Sequence, residues 1–410
     1  MVAPNSTPVV SATFSLWPDS SRPRGQQQVT TAVQCTPQGA DVKSSLYRPE
    51  LDALRFCAFF GVFLFHINHP TDFYIDHGIP RFVAVGIGSL IEGGVFGVDL
   101  FFVLSAYLIT GLLLREKEVF GTIDVRDFYL RRILRIWPVY FFCIALGLIP
   151  IFNPDNVFTW QRAVAFVLLA GNWSVVAWGW PIHSIVTQLW TVSIEEQFYL
   201  LWPPIVRNLS RRRIAIAAVC MLVISNIARV VIVALHGGMN SVWCNTITRL
   251  DPIASGILIA VILHDGIPGF RLRTRVAILI AGSAALALVA NNWRIHEPEH
   301  LLWVPTLIGF PVVALSCTGI LLAVLGFPFR PPSTVLYLGK ISYGLYVYES
   351  LGNRLSNLLI PVHTGFAQLA LRPITTLIFT LIAAMISYTL LEKPFLKLKT
   401  RFTRISSRAI

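Results

Sequence analysis

The chain reads as an all-α protein, a polytopic membrane helical bundle of about ten transmembrane helices plus one re-entrant or interfacial segment. Three observations predict this. Of 410 residues, 55% are hydrophobic and only 13% charged, about half the charged share of a soluble domain, and mean hydropathy is +0.65. Apolar stretches of membrane-crossing length recur along the chain. Lys and Arg gather in alternate loops between those stretches, as the positive-inside rule requires.

Residues 1–47 are rich in Ser, Thr, Pro and Gln and lack the apolar core of a signal peptide, so they read as a disordered polar cytoplasmic tail. Apolar stretches follow near 51–69, 93–114, 133–152, 162–180, 186–206, 212–235, 249–264, 274–291, 302–326, 335–358 and 370–392. Basic loops (Lys43/Arg48, Arg115 to Arg135, Arg207 to Arg213, Arg271 to Arg275, Arg330, Lys393 to Arg408) alternate with loops poor in Lys and Arg at 70–92, 153–161, 236–248, 292–301 and 359–369. The alternation holds throughout only if 162–206 crosses once. One of 162–180 and 186–206 is therefore expected not to span, and the piece Trp190–Pro203, with adjacent Glu195 and Glu196, is the suspected one, because polar groups at depth need a protein-lined setting. The membrane domain covers 48–396 and a basic cytoplasmic tail covers 397–410. Both termini then face the cytoplasm, with the chain in the plasma (inner) membrane.

The net charge of +12 and pI near 9.7 do not argue for nucleic acid, because the basic residues sit between apolar segments rather than on a soluble domain. Six cysteines (Cys35, Cys57, Cys143, Cys220, Cys244, Cys317) show no metal or redox spacing. Cys244 alone falls in an expected external loop. No metal site is expected.

The most informative stretch runs from Arg55 to His66, with only apolar residues between. Eleven helical steps return to within about 20° of the start, so both side chains share one face, roughly 16 Å apart along the axis. Arg55 then lies near one surface and His66 near mid-depth, and groups so costly in lipid should face a polar interior. Asp52, three residues before Arg55, can pair with it. His69 reads as interfacial. Asp99 and Ser105 place a polar face on the next apolar segment, where Gly94 and Gly97 permit close packing. Arg131, Arg132 and Arg135 form one helical patch able to grip phosphates, or simply to anchor the topology. Arg249 and Asp251 read as a structural pair. Lys340 and Glu349 are nine residues apart, on opposite sides of one helix, and should not pair. Trp173, Trp178, Trp180 and Trp243 read as an interfacial aromatic belt more than as sugar-stacking rings.

Taken in order, six motifs resemble the membrane-bound acyltransferase family 3, O-acyltransferases that modify glycans and secondary metabolites. They are Leu51-Asp-Ala-Leu-Arg55 with His66; Gly97-Val-Asp-Leu-Phe-Phe-Val-Leu-Ser105; Arg131-Arg-Ile-Leu-Arg135-Ile-Trp-Pro138-Val-Tyr140; Trp190-Thr-Val-Ser-Ile-Glu195-Glu196-Gln-Phe-Tyr199; Ile341-Ser-Tyr343-Gly-Leu-Tyr346; and Leu391-Glu-Lys-Pro-Phe395. The resemblance spans about 50–396 and implies a ten-helix fold. It implies a cytoplasmic acyl-CoA donor, acetyl-CoA foremost, with no tightly bound cofactor, and a hydroxylated glycan or small-molecule acceptor. It makes Arg55 and His66 the functional pair and points to Arg131, Arg132, Arg135, Ser105, Glu195 and Glu196. On this basis His66, Glu195, Glu196 and Ser105 are expected to be catalytic. Arg55 and the three clustered arginines would hold coenzyme A, and Asp52, Asp99, Tyr343 and Glu349 would line the substrate site. Two departures stand out. The family's Tyr-Leu-Trp-His is here Tyr346-Val347-Tyr348-Glu349, and its Ser-Gly-Phe-Leu is Ser105-Ala106-Tyr107-Leu108. Some relatives carry a fused esterase-like domain that completes transfer outside; this chain is expected to finish alone or with a partner.

The chemistry implied is acyl transfer to a hydroxyl with His66 as general base, worth about 10²–10⁴-fold, and with Glu195 or Glu196 orienting the imidazole or binding the acceptor. Direct transfer and an acyl-histidine intermediate both fit. The alternatives are a proton-coupled transporter, whose relays use the same residue types, and a non-catalytic helical scaffold of a polysaccharide assembly system. No repeat between the two halves favours a transporter.

Overall fold

A computed structural model describes residues 47–68, 71–153, 155–264, 266–296, 302–360 and 371–403. The polar tail up to residue 46, His69, most of the expected loop 359–369 and the end of the basic tail from 404 lie outside the described residues. Among those described the secondary structure is helical, with no strand.

The helices run α1 Pro49–His66, α2 Thr71–Asp76, α3 Arg81–Gly93, α4 Gly97–Phe120, α5 Val125–Gly147, α6 Trp160–Val167, α7 Gly171–Trp178, α8 Leu189–Asn208 and α9 Arg211–Ala234. They continue as α10 Asn240–Trp243, α11 Leu250–Ile262, α12 Leu272–Leu288, α13 Phe310–Val324, α14 Ser333–Lys340, α15 Ser342–Leu359, α16 Arg372–Ser387 and α17 Lys393–Lys399. Local chemistry sets several ends. Proline at the start of α1 is pre-set for a first turn, and Glu50 and Asp52 meet the positive end of the helix dipole. Asp124 caps α5 by accepting the Asp127 N–H at 3.0 Å. Gly121 closes α4 at φ +72°, a backbone state open to glycine at little cost.

The surface is inverted relative to a soluble protein. Along α9 the buried residues are Ile214, Ala218, Ser225, Arg229 and Val233, whereas Ile216, Val219, Val223, Ile224, Ile227 and Val231 are exposed. Apolar side chains outside and an arginine inside are what a bilayer demands. Five helical runs are long and apolar enough to cross: Arg81–Phe120, Arg211–Ala234, Leu272–Trp293, Pro305–Val324 and Arg372–Phe402. That is fewer than the ten crossings expected, for identifiable reasons. Within its 18 residues α1 carries Glu50, Asp52 and Arg55, and α11 has 13 residues, roughly 20 Å.

Two expectations about the path change. The loop expected at 70–92 contains α2 and α3, and α3 runs through a single tight turn at Gly94–Phe96 into α4. The suspected non-spanning piece 190–203 lies inside α8, an uninterrupted helix of 20 residues. The break falls instead in 162–180, which folds as α6 and α7 of eight residues each, about 12 Å apiece. Leu169 between them takes φ +58°, which reverses the chain. Arg162 of α6 then ties the pair by donating to the carbonyls of Trp178 and Gly179.

Close backbone approach builds the middle of the bundle around α1. A methyl on Gly94 would overlap the Gly61 carbonyl, and one on Gly97 the Ala58 carbonyl, so α1 crosses the α3–α4 junction almost backbone to backbone. On its other side a methyl on Gly339 would overlap the Asp52 carbonyl, which seats α14 against the turn bearing Asp52 and Arg55. Gly339→Ala is expected to push α14 off α1 and lower stability by about 1–3 kcal/mol. Thermal unfolding in detergent checks this, with Gly111→Ala, which meets nothing within 4 Å, leaving the midpoint unchanged or raised.

Candidate active site

Five helices each turn one face toward a common cavity of about 140 Å³. The spacing of its lining is helical throughout: Asp52 and Arg55 on α1, Ser105, Leu108 and Leu112 on α4, Arg132 and Arg135 on α5, Thr191, Glu195 and Tyr199 on α8, and Tyr343 and Tyr346 on α15. Tyr47 and Arg48, just ahead of α1, complete one end. The wall is apolar along α4 and charged along α1, α5 and α8, so the cavity can hold a chain with an anionic end.

Its polar groups are held in place by one another. Arg55 Nη1 donates to Asp52 Oδ1 at 3.1 Å, and the Tyr47 hydroxyl donates to Asp52 Oδ2 at 3.1 Å. The Glu195 carboxylate accepts from Ser105 Oγ at 2.9 Å and from the Tyr199 hydroxyl at 3.1 Å. Arg132 stacks on the Phe128 ring at 5.3 Å and the Tyr199 ring at 5.4 Å. Its buried Nε has no hydrogen-bond partner among the described residues. A guanidinium placed by aromatic faces keeps its donors for an anion.

His66 is set apart from this cavity. It is the last residue of α1, and its Nδ1 lies 2.6 Å from Glu349 Oε1 on α15. The imidazole is 37% exposed and the carboxylate 3%. With an ionised carboxylate, which only accepts, the contact has Nδ1 as donor and, in the neutral ring, the lone pair on Nε2. Nε2 makes no hydrogen bond to the described residues. The expected orienting partners, Glu195 and Glu196, are engaged elsewhere, Glu196 with Trp137 Nε1 at 2.8 Å. Glu349 takes that place, at the position where the resembled family commonly has histidine. The signal was in the sequence: a glutamate deep in an apolar helix, with Lys340 on the wrong side, needs a base from another helix. Lys340 lies over the Tyr388 ring at 5.6 Å.

Other expected site residues are drawn into the framework. Asp99 does not reach the cavity; it pairs with Arg249 at 2.8 Å, and Asp251 pairs with Arg229 at 2.5 Å, so Arg249 and Asp251 exchange the partner expected of them. All four are buried, with Trp243 over Arg249 at 4.5 Å. Trp243 and Cys244 are buried. Arg131 turns away from Arg132 and Arg135 to bind Glu116 at 3.1 Å and the Phe402 carbonyl at 2.8 Å. Tyr343 lines the cavity while its hydroxyl donates to the Ile136 carbonyl at 3.0 Å. Trp178 and Trp173 are exposed, and Trp180 meets Trp190 edge-on at 5.7 Å. Tyr47, Arg48, Thr191 and Tyr346 join the lining without having been expected as site residues; Thr191 lies one turn from Glu195 on α8 and Tyr346 one turn from Tyr343 on α15, the register that could have marked them.

Residues 48–392 match the family described as Acyltransferase domain. The O-acetyltransferase OatA of Staphylococcus aureus (strain NCTC 8325 / PS 47) is 27% identical over 379 residues, which cover 86% of this chain and 58% of the relative. The putative O-acetyltransferase SAS0844 of Staphylococcus aureus (strain MSSA476) is 26% identical over 388 residues, covering 87% and 58% respectively. The chain thus spans 58% of the length of these curated relatives. No solved structure matches.

The ion pairs separate framework from site by experiment. Asp99→Ala leaves Arg249 as a buried charge without its carboxylate, so it should cost about 3–5 kcal/mol and lower folded yield on size-exclusion chromatography. His66→Gln, whose side-chain amide can still donate to the buried Glu349 carboxylate, should leave that profile unchanged.

Proposed function

The chain belongs to the Acyltransferase domain family, and from that premise we propose that it is an integral membrane O-acetyltransferase taking its acyl group from acyl-CoA. The acceptor is a hydroxyl of a glycan or other small molecule. One observation carries the reading: His66 is held at Nδ1 by the buried Glu349 carboxylate, which leaves Nε2 as a base at the end of α1. Beyond it along the same helix face lies Arg55, in a cavity walled by further arginines.

In this reading the phosphates of coenzyme A sit at the Arg48, Arg55, Arg132 and Arg135 end, where guanidiniums bind them bidentately. The pantetheine arm runs along the apolar face of α4, past Ser105 and Glu195, toward the dyad. Nε2 takes the proton from the acceptor hydroxyl as its oxygen bonds the thioester carbonyl carbon. Collapse of the tetrahedral adduct breaks the C–S bond, and the imidazolium returns its proton to the departing thiolate. Glu349 holds the ring in the productive tautomer and stabilises the imidazolium. Ser105 and Tyr199 fix the Glu195 carboxylate at the cavity wall, where it positions the arm or the acceptor; Glu196 supports the same helix through Trp137. Arg131 acts as a positioning residue, holding α5 against Glu116. The positive-inside pattern supports about ten crossings with the arginine end and both termini cytoplasmic, in the inner membrane.

Purified protein in nanodiscs, given acetyl-CoA and a panel of hydroxylated glycans, tests this. His66→Gln, which keeps a donor for Glu349 but supplies no base, should lower acetyl transfer by about 10²–10⁴-fold with folding intact. Thioester loss indifferent to acceptor and to His66 would contradict the reading. Arg132→Ala should raise the KM for acetyl-CoA several-fold with little change in kcat, because a guanidinium on coenzyme A phosphates contributes equally to ground and transition states.

A further inference from the structure

The cavity stops short of the dyad, and Tyr346 lines it on the same helix that carries Glu349. At the inner end the lining is Val98, Phe101, Phe102, Thr191, Val192 and Tyr346, and neither His66 nor Glu349 belongs to it. Tyr346 and Glu349 lie three residues apart on α15, about 4.5 Å along its axis. Tyr346 is 7% exposed and fastened on two sides. Thr191 Oγ1 donates to its hydroxyl oxygen at 2.9 Å, and that hydroxyl donates to the Gln188 carbonyl at 3.4 Å. The Phe101 ring meets it edge-on at 5.9 Å. A tyrosine held at both ring and hydroxyl is a stiff wall, because moving it breaks hydrogen bonds inside an apolar bundle as well as ring packing.

We propose that Tyr346, latched by Thr191 and Gln188 and backed by Phe101, is the specificity-determining wall of the donor cavity, and that it confines transfer to short acyl groups. The inference rests on the acyl-transfer reading above. A thioester whose sulfur arm lies along α4 must project its acyl group past the Tyr346 ring to bring the carbonyl to Nε2. An acetyl group ends at its methyl. Each further methylene must displace Phe101 or Tyr346, or remain below the wall with the carbonyl out of reach. A well-packed wall of this kind discriminates by about 10–200-fold per methylene.

The test measures kcat/KM for acetyl-, butyryl- and hexanoyl-CoA with one acceptor, using the full chain in nanodiscs. Wild type should strongly prefer acetyl-CoA. Tyr346→Ala should raise the butyryl-to-acetyl ratio by about tenfold or more, whereas Tyr346→Phe, which keeps the ring, should shift it far less. Tyr346→Leu gives the same readout should the alanine variant not fold. Thr191→Val, close in shape but without the donor, should shift the ratio in the direction of the alanine variant. A folded Tyr346→Ala or Tyr346→Leu with the wild-type ratio overturns the inference while leaving acyl transfer intact. Folded wild type that consumes none of the three thioesters overturns the acyl-transfer reading and this inference with it.

Discussion

The hydrogen bond between His66 and Glu349 joins the end of α1 to the middle of α15 across 283 residues of sequence. Much of the architecture serves it. A carboxylate 3% exposed in an apolar helix is costly unless a donor reaches it. An imidazole at a membrane helix end is an undirected base unless something fixes its ring. Each answers the other's need, and the contact holds only if α1 stays in register with its neighbours. The missing side chains of Gly61, Gly94, Gly97 and Gly339 supply that register by letting backbones meet directly.

The interior polar groups divide into two kinds. Arg249–Asp99, Arg229–Asp251 and Arg131–Glu116 are buried on both sides. They lock α4, α9, α11 and α5 together, and aromatic faces cover the Arg249 and Arg229 guanidiniums. Such pairs make a bundle specific more than they make it stable. The second kind faces space. Arg55, Arg132, Arg135 and Glu195 line the cavity, and His66 opens beyond it. Charge in a bilayer interior is tolerated where it is paired or where it lines a chamber, and this chain uses both solutions side by side.

Much of this was legible in the sequence because it depends on spacing within single helices. The shared face of Arg55 and His66, the Asp52–Arg55 pair and the Gly94/Gly97 close approach follow from helical periodicity. What one helix cannot reveal is its partner. Asp99 and Ser105 lie six residues apart on α4, yet one meets Arg249 and the other Glu195. Arg131 and Arg132 are adjacent, yet one faces Glu116 and the other the cavity. Glu195 and Glu196 suggested a broken segment because their satisfying groups come from α4 and α5 and from Tyr199 a turn further along α8. The true break, at Leu169, carries no proline or glycine at the residue that reverses the chain.

The central claim is that His66 and Glu349 act as one unit in acyl transfer. A double-mutant cycle on kcat/KM for acetyl transfer, using His66→Ala, Glu349→Gln and the two combined, addresses it most directly. If the carboxylate works only through the imidazole, the combined variant should be no slower than His66→Ala alone. Losses that multiply, with Glu349→Gln costing as much without the histidine as with it, would contradict the account.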